Sequence, residues 1–152
     1  MDAAQLRVWR DFVETGDRLR SVLAARLQAE SELSTGDYAV LLALAEASGT
    51  RIRSSVLAEH VNWERSRLSH HLGRMESRGL VRREKCATDS RGAEIVLTDH
   101  GKAQFRRASA PHLKAVQELF LDALDPDLLA KVDEVTRALN SHLAASEARG
   151  AA

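Results

Sequence analysis

The chain places its hydrophobic residues at helical intervals over most of its length, and the clearest stripe lies near the middle. Leu68, Leu72 and Met75 recur at spacings of four and three residues, which puts them on one face of a helix. The opposite side is polar and small, with Ser66, His70, Gly73 and Ser77 at its centre and Arg67 and Arg74 on its flank. Such a helix suits a DNA major groove, because small side chains allow close approach and arginine can donate to guanine O6 and N7.

The segment before this helix predicts a second, shorter helix. Its apolar positions are Val56, Leu57 and Val61. Either Ser54 or Ser55 is available as the N-cap. The connection through Asn62 and Trp63 is too short for anything but a tight turn. Two helices joined in this way predict a helix-turn-helix.

The chain after the second helix predicts a hairpin. Gly79 stands where the end of a helix favours a left-handed residue. Val81–Lys85 and Glu94–Leu97 have extended character, and the loop between them contains the turn sequence Asp89–Gly92. Arg51–Arg53 is a candidate third strand. A helix-turn-helix followed by a hairpin is a winged helix, so we predict a mainly α fold with a small β-wing.

Three long helices are predicted around this centre. The first covers about residues 3–30, the second runs from Asp99 to about Leu124 with an expected kink at Pro111, and the third follows Asp125. Helix-start signals occur at Ser34 with Asp37, at Thr98, and at Asp125 with Pro126. The apolar stripe of the last helix comprises Leu128, Val132, Val135, Leu139 and Leu143.

These long helices carry more apolar surface than a small winged helix can cover. Pairing with a second copy of the chain is the simplest way to bury it. We therefore predict a helical dimerisation region, residues 1–33 and 99–152, and a winged helix-turn-helix DNA-binding region, residues 34–98. Both regions are expected to belong to a single compact protomer.

The net charge of the 152 residues is zero, but the charges are segregated. Residues 51–107 contain 13 lysines and arginines against 7 acidic residues, a balance of +6, and the rest of the chain balances at −6. This distribution indicates a polyanionic partner for the middle of the chain, with a chance fluctuation of solvated charges as the alternative. No apolar run is long enough for a membrane span and no signal peptide is visible, so a cytoplasmic protein without a membrane partner is expected.

Catalytic and metal-binding patterns are missing from the sequence. It contains no glycine-rich phosphate loop, no nucleophile elbow and no zincin histidine pair, so we predict a protein that is not an enzyme and has no cofactor. His70 and His71 are adjacent and point about 100° apart on a helix, so they cannot chelate one metal ion together. The single cysteine, Cys86, excludes an internal disulfide. An inert thiol is the favoured interpretation there, although Lys85 could lower its pKa.

Four segments of the sequence resemble the MarR family of bacterial transcriptional regulators. They are LSTGDYAVLLAL (Leu33–Leu44), LAEHVNWERSRLSHHLGRMESRGLVRRE (Leu57–Glu84), the wing motif Asp89-Ser90-Arg91, and IVLTDHG (Ile95–Gly101). The resemblance implies a homodimeric winged helix-turn-helix flanked by long dimerisation helices. It also implies a repressor that a small, possibly phenolic, aromatic effector releases from a pseudo-palindromic operator. The alternative is a winged-helix protein-interaction module without DNA binding, which would carry apolar residues on the recognition face.

The resemblance also indicates which residues meet double-stranded DNA. They are Arg65, Ser66, Arg67, Ser69, His70 and Arg74 of the recognition helix, and Asp89 and Arg91 of the wing. Arg91 is expected in the minor groove, held by Asp89, with a solvated turn arginine as the alternative. A small aromatic ligand is expected near Trp9, Arg10, Phe12 and Arg18, where plain dimer core is the alternative.

Overall fold

The structure is a computed structural model that describes residues 1–85 and 93–150. These residues form six α-helices and three short strands in a mainly α fold. In chain order they are α1 (Ala3–Ser31), α2 (Thr35–Glu46), β1 (Arg51–Arg53), α3 (Ser54–His60), α4 (Arg65–Ser77), β2 (Val81–Lys85), β3 (Ala93–Leu97), α5 (Asp99–Leu119) and α6 (Pro126–Gly150). The predicted fold class, a helix-turn-helix with a small β-wing, is confirmed.

The strands form one antiparallel sheet in the order β1-β3-β2. Val81 pairs with Leu97 at the base of the wing, and Ile52 of β1 pairs with Ile95. The predicted third strand, Arg51–Arg53, is therefore present. It ties the segment before the helix-turn-helix to the wing that follows it.

The helix-start signals were right at three places and wrong at one. Ser34 and Asp37 form a reciprocal capping box on α2, Thr98 Oγ1 accepts from the Gly101 N–H at 2.9 Å, and Asp125 Oδ1 accepts from the Leu128 N–H at 2.8 Å. The prediction of a serine N-cap on α3 was wrong. Ser54 is already helical, because β1 leads directly into the helix and leaves Arg53 at the cap position without a capping side chain.

The hydrophobic core lies between α2, α3, α4 and the inner face of the sheet. It contains Val40, Leu41, Leu44, Leu57, Leu68, Leu72, Met75, Leu80, Val81 and Ile95, all almost fully buried. The predicted buried stripe of α4 is thus confirmed. Val56, which its spacing placed on the apolar face of α3, has 39% of its surface accessible, so that prediction was wrong.

The end of α4 sets the start of the wing. Gly79 has φ +70°, as predicted, its N–H donates to the Glu76 carbonyl, and the Leu80 N–H reaches back to the Met75 carbonyl. This pair of bonds is a Schellman motif, which satisfies carbonyls at the end of a helix and reverses the chain. Leu80 therefore enters the core directly before β2.

The chain forms two compact units, residues 1–113 and 114–152. Helix α5 continues past Pro111 to Leu119 and is followed by a 3₁₀ turn at Leu121–Ala123, so it is shorter than predicted. None of the residues of α6 is buried. Within the described part of the chain, no helix combines the length and apolar character needed to cross a membrane.

Candidate nucleic-acid interface

One side of α4 is buried in the core and the other is open to solvent. Every recognition-helix residue predicted to meet DNA is on the open side: Arg65, Ser66, Arg67, Ser69, His70 and Arg74 are all exposed. At about 100° per residue, Ser66 and His70 are the two of these six residues that lie closest to the line opposite the buried stripe. Arg67 and Arg74 occupy one flank, and Arg65 and Ser69 occupy the other.

The centre of this face and one flank are free to meet a ligand. The side chains of Arg65, Ser66, Ser69 and His70 have no hydrogen-bond or ion-pair partner among the residues that the structure describes. Two of them carry hydroxyl groups, one an imidazole and one a guanidinium. Together they offer donors and acceptors to base edges and to phosphate oxygens.

Arg67, on the other flank, stacks on an aromatic ring. Its guanidinium carbon lies 4.4 Å from the centroid of the Trp63 ring, within the range of a cation–π contact. Trp63 is half-buried in the turn before α4 and also meets His71 edge to face, with ring centroids 5.0 Å apart. The turn of the helix-turn-helix thus supports an arginine of the recognition helix.

Arg74 is bound to the same histidine. Its Nη2 lies 3.0 Å from His71 Nδ1. On the other side of the ring, His71 Nε2 lies 3.0 Å from Asp37 Oδ1, an ion-pair distance, although the geometry is not that of a hydrogen bond. Asp37 in turn accepts from Arg78 Nη1 at 2.7 Å, and Arg78 Nη2 donates to the Glu32 carbonyl at 2.9 Å. A polar chain therefore connects the start of α2 with the exposed face of α4.

The environment shifts the pKa of both buried members of this chain. Burial of the His71 imidazole lowers its pKa and nearby Arg74 and Arg67 lower it further, against the opposing pull of Asp37. Burial alone would raise the pKa of Asp37, but the hydrogen bonds from Arg78 and the Ser34 backbone outweigh it and lower the pKa. At neutral pH His71 is therefore neutral and Asp37 is charged. Because Nδ1 faces an arginine that can only donate, the His71 proton belongs on Nε2.

The wing is attached to α4 through Arg83. Its Nη2 donates to the Ser69 carbonyl oxygen at 2.7 Å, and its backbone N–H donates to Glu76 Oε1 at 3.1 Å. Arg82, on the other side of the strand, pairs with Glu84 at 2.7 Å. The wing residues Asp89 and Arg91, like Cys86, lie outside the described residues, so their predicted roles stay predictions.

The four residues predicted to bind an effector are exposed on α1, and Trp9 and Phe12 have 61% and 57% of their surface accessible. Trp9 and Arg18 are nine residues apart and point to opposite sides of the helix. The four residues therefore do not form one binding site within a single chain. No cluster of three or more histidine, cysteine, aspartate or glutamate side chains suited to a metal occurs in residues 1–85 and 93–150.

A buried stripe on α4, an exposed polar face and a hairpin attached behind it define a winged helix-turn-helix protein. The sequence profile described as MarR family matches residues 31–92. The chain belongs to the MarR family of transcriptional regulators.

Three relatives show how far the similarity extends. The transcriptional regulator HosA of Escherichia coli O157:H7 is 38% identical over 104 residues, which cover 68% of this chain and 75% of HosA. The crystal structure of AbsC, a MarR family regulator from Streptomyces coelicolor, superimposes with a TM-score of 0.90 at 36% identity, covering 95% of this chain and 97% of AbsC. Sco3205 from the same organism, solved in complex with DNA, gives a TM-score of 0.89 at 35% identity, covering 94% and 90%.

The sequence did not reveal the inner partners of the exposed arginines. Asp37 was assigned only to a helix cap, and His71 and Trp63 were given no function. The available signal was the spacing of His71, four residues after Arg67 and three before Arg74, because residues three and four apart are neighbours on a helix. The contact of His71 with Asp37 joins positions 34 residues apart in sequence and required the fold.

Proposed function

We propose that this protein is a homodimeric DNA-binding repressor that inserts α4 into the major groove of a pseudo-palindromic operator. The observation that carries the proposal is the exposed face of α4, which bears arginine, serine and histidine over a helix whose other side is fixed in the core. The membership of the MarR family and the DNA complex of Sco3205 support it. As a regulator of genes, it would act in the cytoplasm.

The second copy of the chain is proposed to cover apolar surface that one copy leaves open. Helix α6 exposes Leu128, Val132, Val135, Leu139 and Leu143, and α1 exposes Leu6, Trp9, Phe12 and Val22. A stripe of exposed apolar side chains along one helix marks an interaction site on a folded protein. In a symmetric dimer each copy buries the same surface against its partner, and the dimer carries two copies of α4 for two half-sites.

Regulation is proposed to act on the distance between the two copies of α4. The two copies of α4 must fit their two half-sites at the same time. A small change in the distance between them therefore weakens both contacts. A small aromatic effector would release the operator if it bound one dimer geometry more tightly than the other. Trp9 and Phe12 supply apolar surface for such a ligand, and Arg10 or Arg18 supplies a cation for an acidic group, with residues of the second copy completing the site.

Selection of bound duplexes from a random pool tests the proposal. We expect an enriched inverted repeat with half-sites about 10 base pairs apart, centre to centre. The affinity for the selected duplex should fall steeply with salt, because bound phosphates release counterions. A variant with Arg65→Ala and Arg74→Ala is the matched control. It should keep the unfolding temperature and lose the enrichment. No enrichment by the wild type, or an affinity independent of salt, would reject DNA binding.

Repression and release need separate measurements. A reporter gene with the selected duplex between promoter and start codon should be silenced by the protein and not by the double arginine variant. Aromatic carboxylic acids and phenols, added to the purified complex, should displace the duplex if they are effectors. Activation of the reporter would reject repression while leaving DNA binding intact.

A further inference from the structure

We propose that Trp63 and His71 are positioning residues that hold Arg67 and Arg74 in fixed rotamers for reading DNA. This inference rests on the proposed function, since it concerns how the recognition face is prepared. Neither residue belongs to the set predicted to touch DNA, and both lie beneath the exposed flank of α4. They contact each other, so the two arginines share one support.

The support of Arg74 is a hydrogen bond with a defined direction. Arginine has only donors, so at the 3.0 Å contact His71 Nδ1 must accept, and the ring must carry its proton on Nε2. Nε2 faces Asp37 Oδ1 at 3.0 Å, which favours the same tautomer. Asp37 is itself fixed by Arg78 and by the Ser34 N–H, so the ring has a rigid neighbour on α2.

Arg67 is supported by the flat face of the Trp63 ring. The guanidinium lies 4.4 Å from the Trp63 ring centroid, and a planar cation stacked on indole loses freedom without using its donors. All five N–H groups of Arg67 therefore remain available to guanine or phosphate. Trp63 is kept in place by the edge of His71 and by Gly36, where an added Cβ would come within 2.7 Å of the Trp63 ring and 2.9 Å of the His71 ring.

The two arginines are spaced to read separate positions of one half-site. Seven residues separate them, so they point in directions about 20° apart and lie about 10 Å apart along the helix axis. With about 3.4 Å per base step, this distance corresponds to about three base pairs. Long side chains lose rotamer freedom on binding, and an arginine ordered in advance loses less, which benefits the matching sequence most.

The first test uses the free protein, without DNA. Nitrogen-15 NMR of the His71 ring should show a protonated Nε2 and an unprotonated Nδ1. Side-chain relaxation should show restricted motion at Arg74 Nε, and His71→Ala should release it while leaving Arg82, which pairs with Glu84, unchanged. An Nδ1–H tautomer, or an Arg74 that is equally mobile in both proteins, would overturn the assignment whatever the protein binds.

The second test measures specificity, as the ratio of affinities for the selected duplex and a scrambled duplex of the same composition. His71→Ala should lower this ratio roughly tenfold, within the range of one arginine–base contact, and should add little in an Arg74→Ala background. His71→Gln should restore the ratio to about the wild-type value, because its amide oxygen can accept from Arg74 while its NH₂ group faces Asp37. His100→Ala, at an exposed histidine on α5, is the control and should leave the ratio unchanged.

Gly36→Ala perturbs Trp63 and His71 from α2, without changing any residue of α4. The added methyl group must displace the rings of Trp63 and His71, so the ratio should fall as it does in His71→Ala. Wild-type ratios in both variants would reject the positioning role and leave DNA binding standing. If the wild-type protein selects no duplex at all, the proposed function fails and this assignment fails with it.

Discussion

Arg83 of β2 donates a hydrogen bond to the backbone carbonyl oxygen of Ser69, in the middle of α4, at 2.7 Å. The backbone N–H of Arg83 donates to Glu76 Oε1, so both the side chain and the main chain of Arg83 are bound to the recognition helix. The Ser69 carbonyl already belongs to the helix ladder, and its second lone pair takes the arginine. The wing is thereby held at a fixed distance from the surface proposed to enter the major groove.

Arg83→Met should loosen the wing while preserving the fold. Methionine keeps most of the apolar stem and removes the donor, and we expect the free energy of unfolding to fall by about 1 kcal/mol, since the bond is partly exposed. Affinity for the selected duplex should fall by a similar free energy. Arg82→Met, one residue earlier and paired with Glu84 of the same strand, is the control and should change the stability less. If the two substitutions lower the free energy of unfolding in urea equally, Arg83 does not fix the wing to α4.

The helix-turn-helix and the wing could be predicted because their signals are local. The spacing of Leu68, Leu72 and Met75, the reversal at Gly79 and the caps at Ser34, Thr98 and Asp125 each depend on a few neighbouring residues, and the structure agrees with them. The predicted cap on α3 failed, because pairing of β1 with β3 brings the chain into the helix without a capping turn. A short-range pattern contains no information about that pairing.

The interior support of the recognition face could not be predicted in the same way. Asp37 has two uses. It caps its own helix together with Ser34, and it contacts Arg78 and His71, which lie far from it in sequence. The sequence indicates the first use, because Ser34 is three residues away. The second use depends on how α2 crosses α4, which side-chain spacing along one helix does not determine.

His70→Ala and Arg65→Ala should separate base reading from backbone binding. His70 lies at the centre of the exposed face, so its loss should relax the preference at one position of each half-site, by roughly 1–3 kcal/mol. Arg65 is at the first turn of α4 and should contact phosphate, so its loss should weaken all duplexes about equally. Selection repeated with each variant measures both effects. A uniform loss of affinity in His70→Ala, without a change in preference, would show that another side of α4 enters the groove.

Gly101→Ala should destabilise the protein strongly. A Cβ at Gly101 would lie 2.0 Å from the Leu80 carbonyl oxygen and 2.8 Å from Leu97 Cδ1, so the start of α5 would have to move away from the wing. We expect a loss of about 3 kcal/mol in thermal or urea unfolding. Gly73→Ala is the control. Its Cβ would meet nothing within 4 Å, and alanine in the middle of a helix should raise the stability by about 0.5–1 kcal/mol. An undiminished stability of Gly101→Ala would contradict this close packing.

Mild acid should weaken the fold through His71. Burial lowers the pKa of His71 below its ordinary 6.5, so the unfolded chain binds the proton more readily than the folded one. The stabilisation is complete above pH 6.5 and is lost as the pH falls from there toward the folded pKa. Asp37, whose pKa also lies below its ordinary value of 3.8, stabilises the fold above that pH and loses its contribution only in stronger acid.

The free energy of unfolding should therefore decline between pH 7.5 and pH 5 in the wild type. His71→Gln, which does not titrate, should flatten this decline. An identical slope in the wild type and in His71→Gln would show that another group is responsible.

Val135→Asp should separate the two copies of the chain without unfolding either one. Val135 lies in the middle of the stripe on α6 and has 51% of its surface exposed in the single chain, so an aspartate there remains solvated in the protomer. Only the dimer buries the charge. Because an unpaired buried charge costs about 3 kcal/mol or more, the dissociation constant should rise by about a hundredfold or more. Sedimentation velocity over a range of concentrations measures this rise, and circular dichroism should show an unchanged helix content. Thr136→Asp places the same charge on the next residue, about 100° around the helix and off the stripe, and should leave the dimer intact. If Val135→Asp sediments as the wild type does, α6 is not in the interface, and the proposed spacing of the two recognition helices would need a different pair of surfaces.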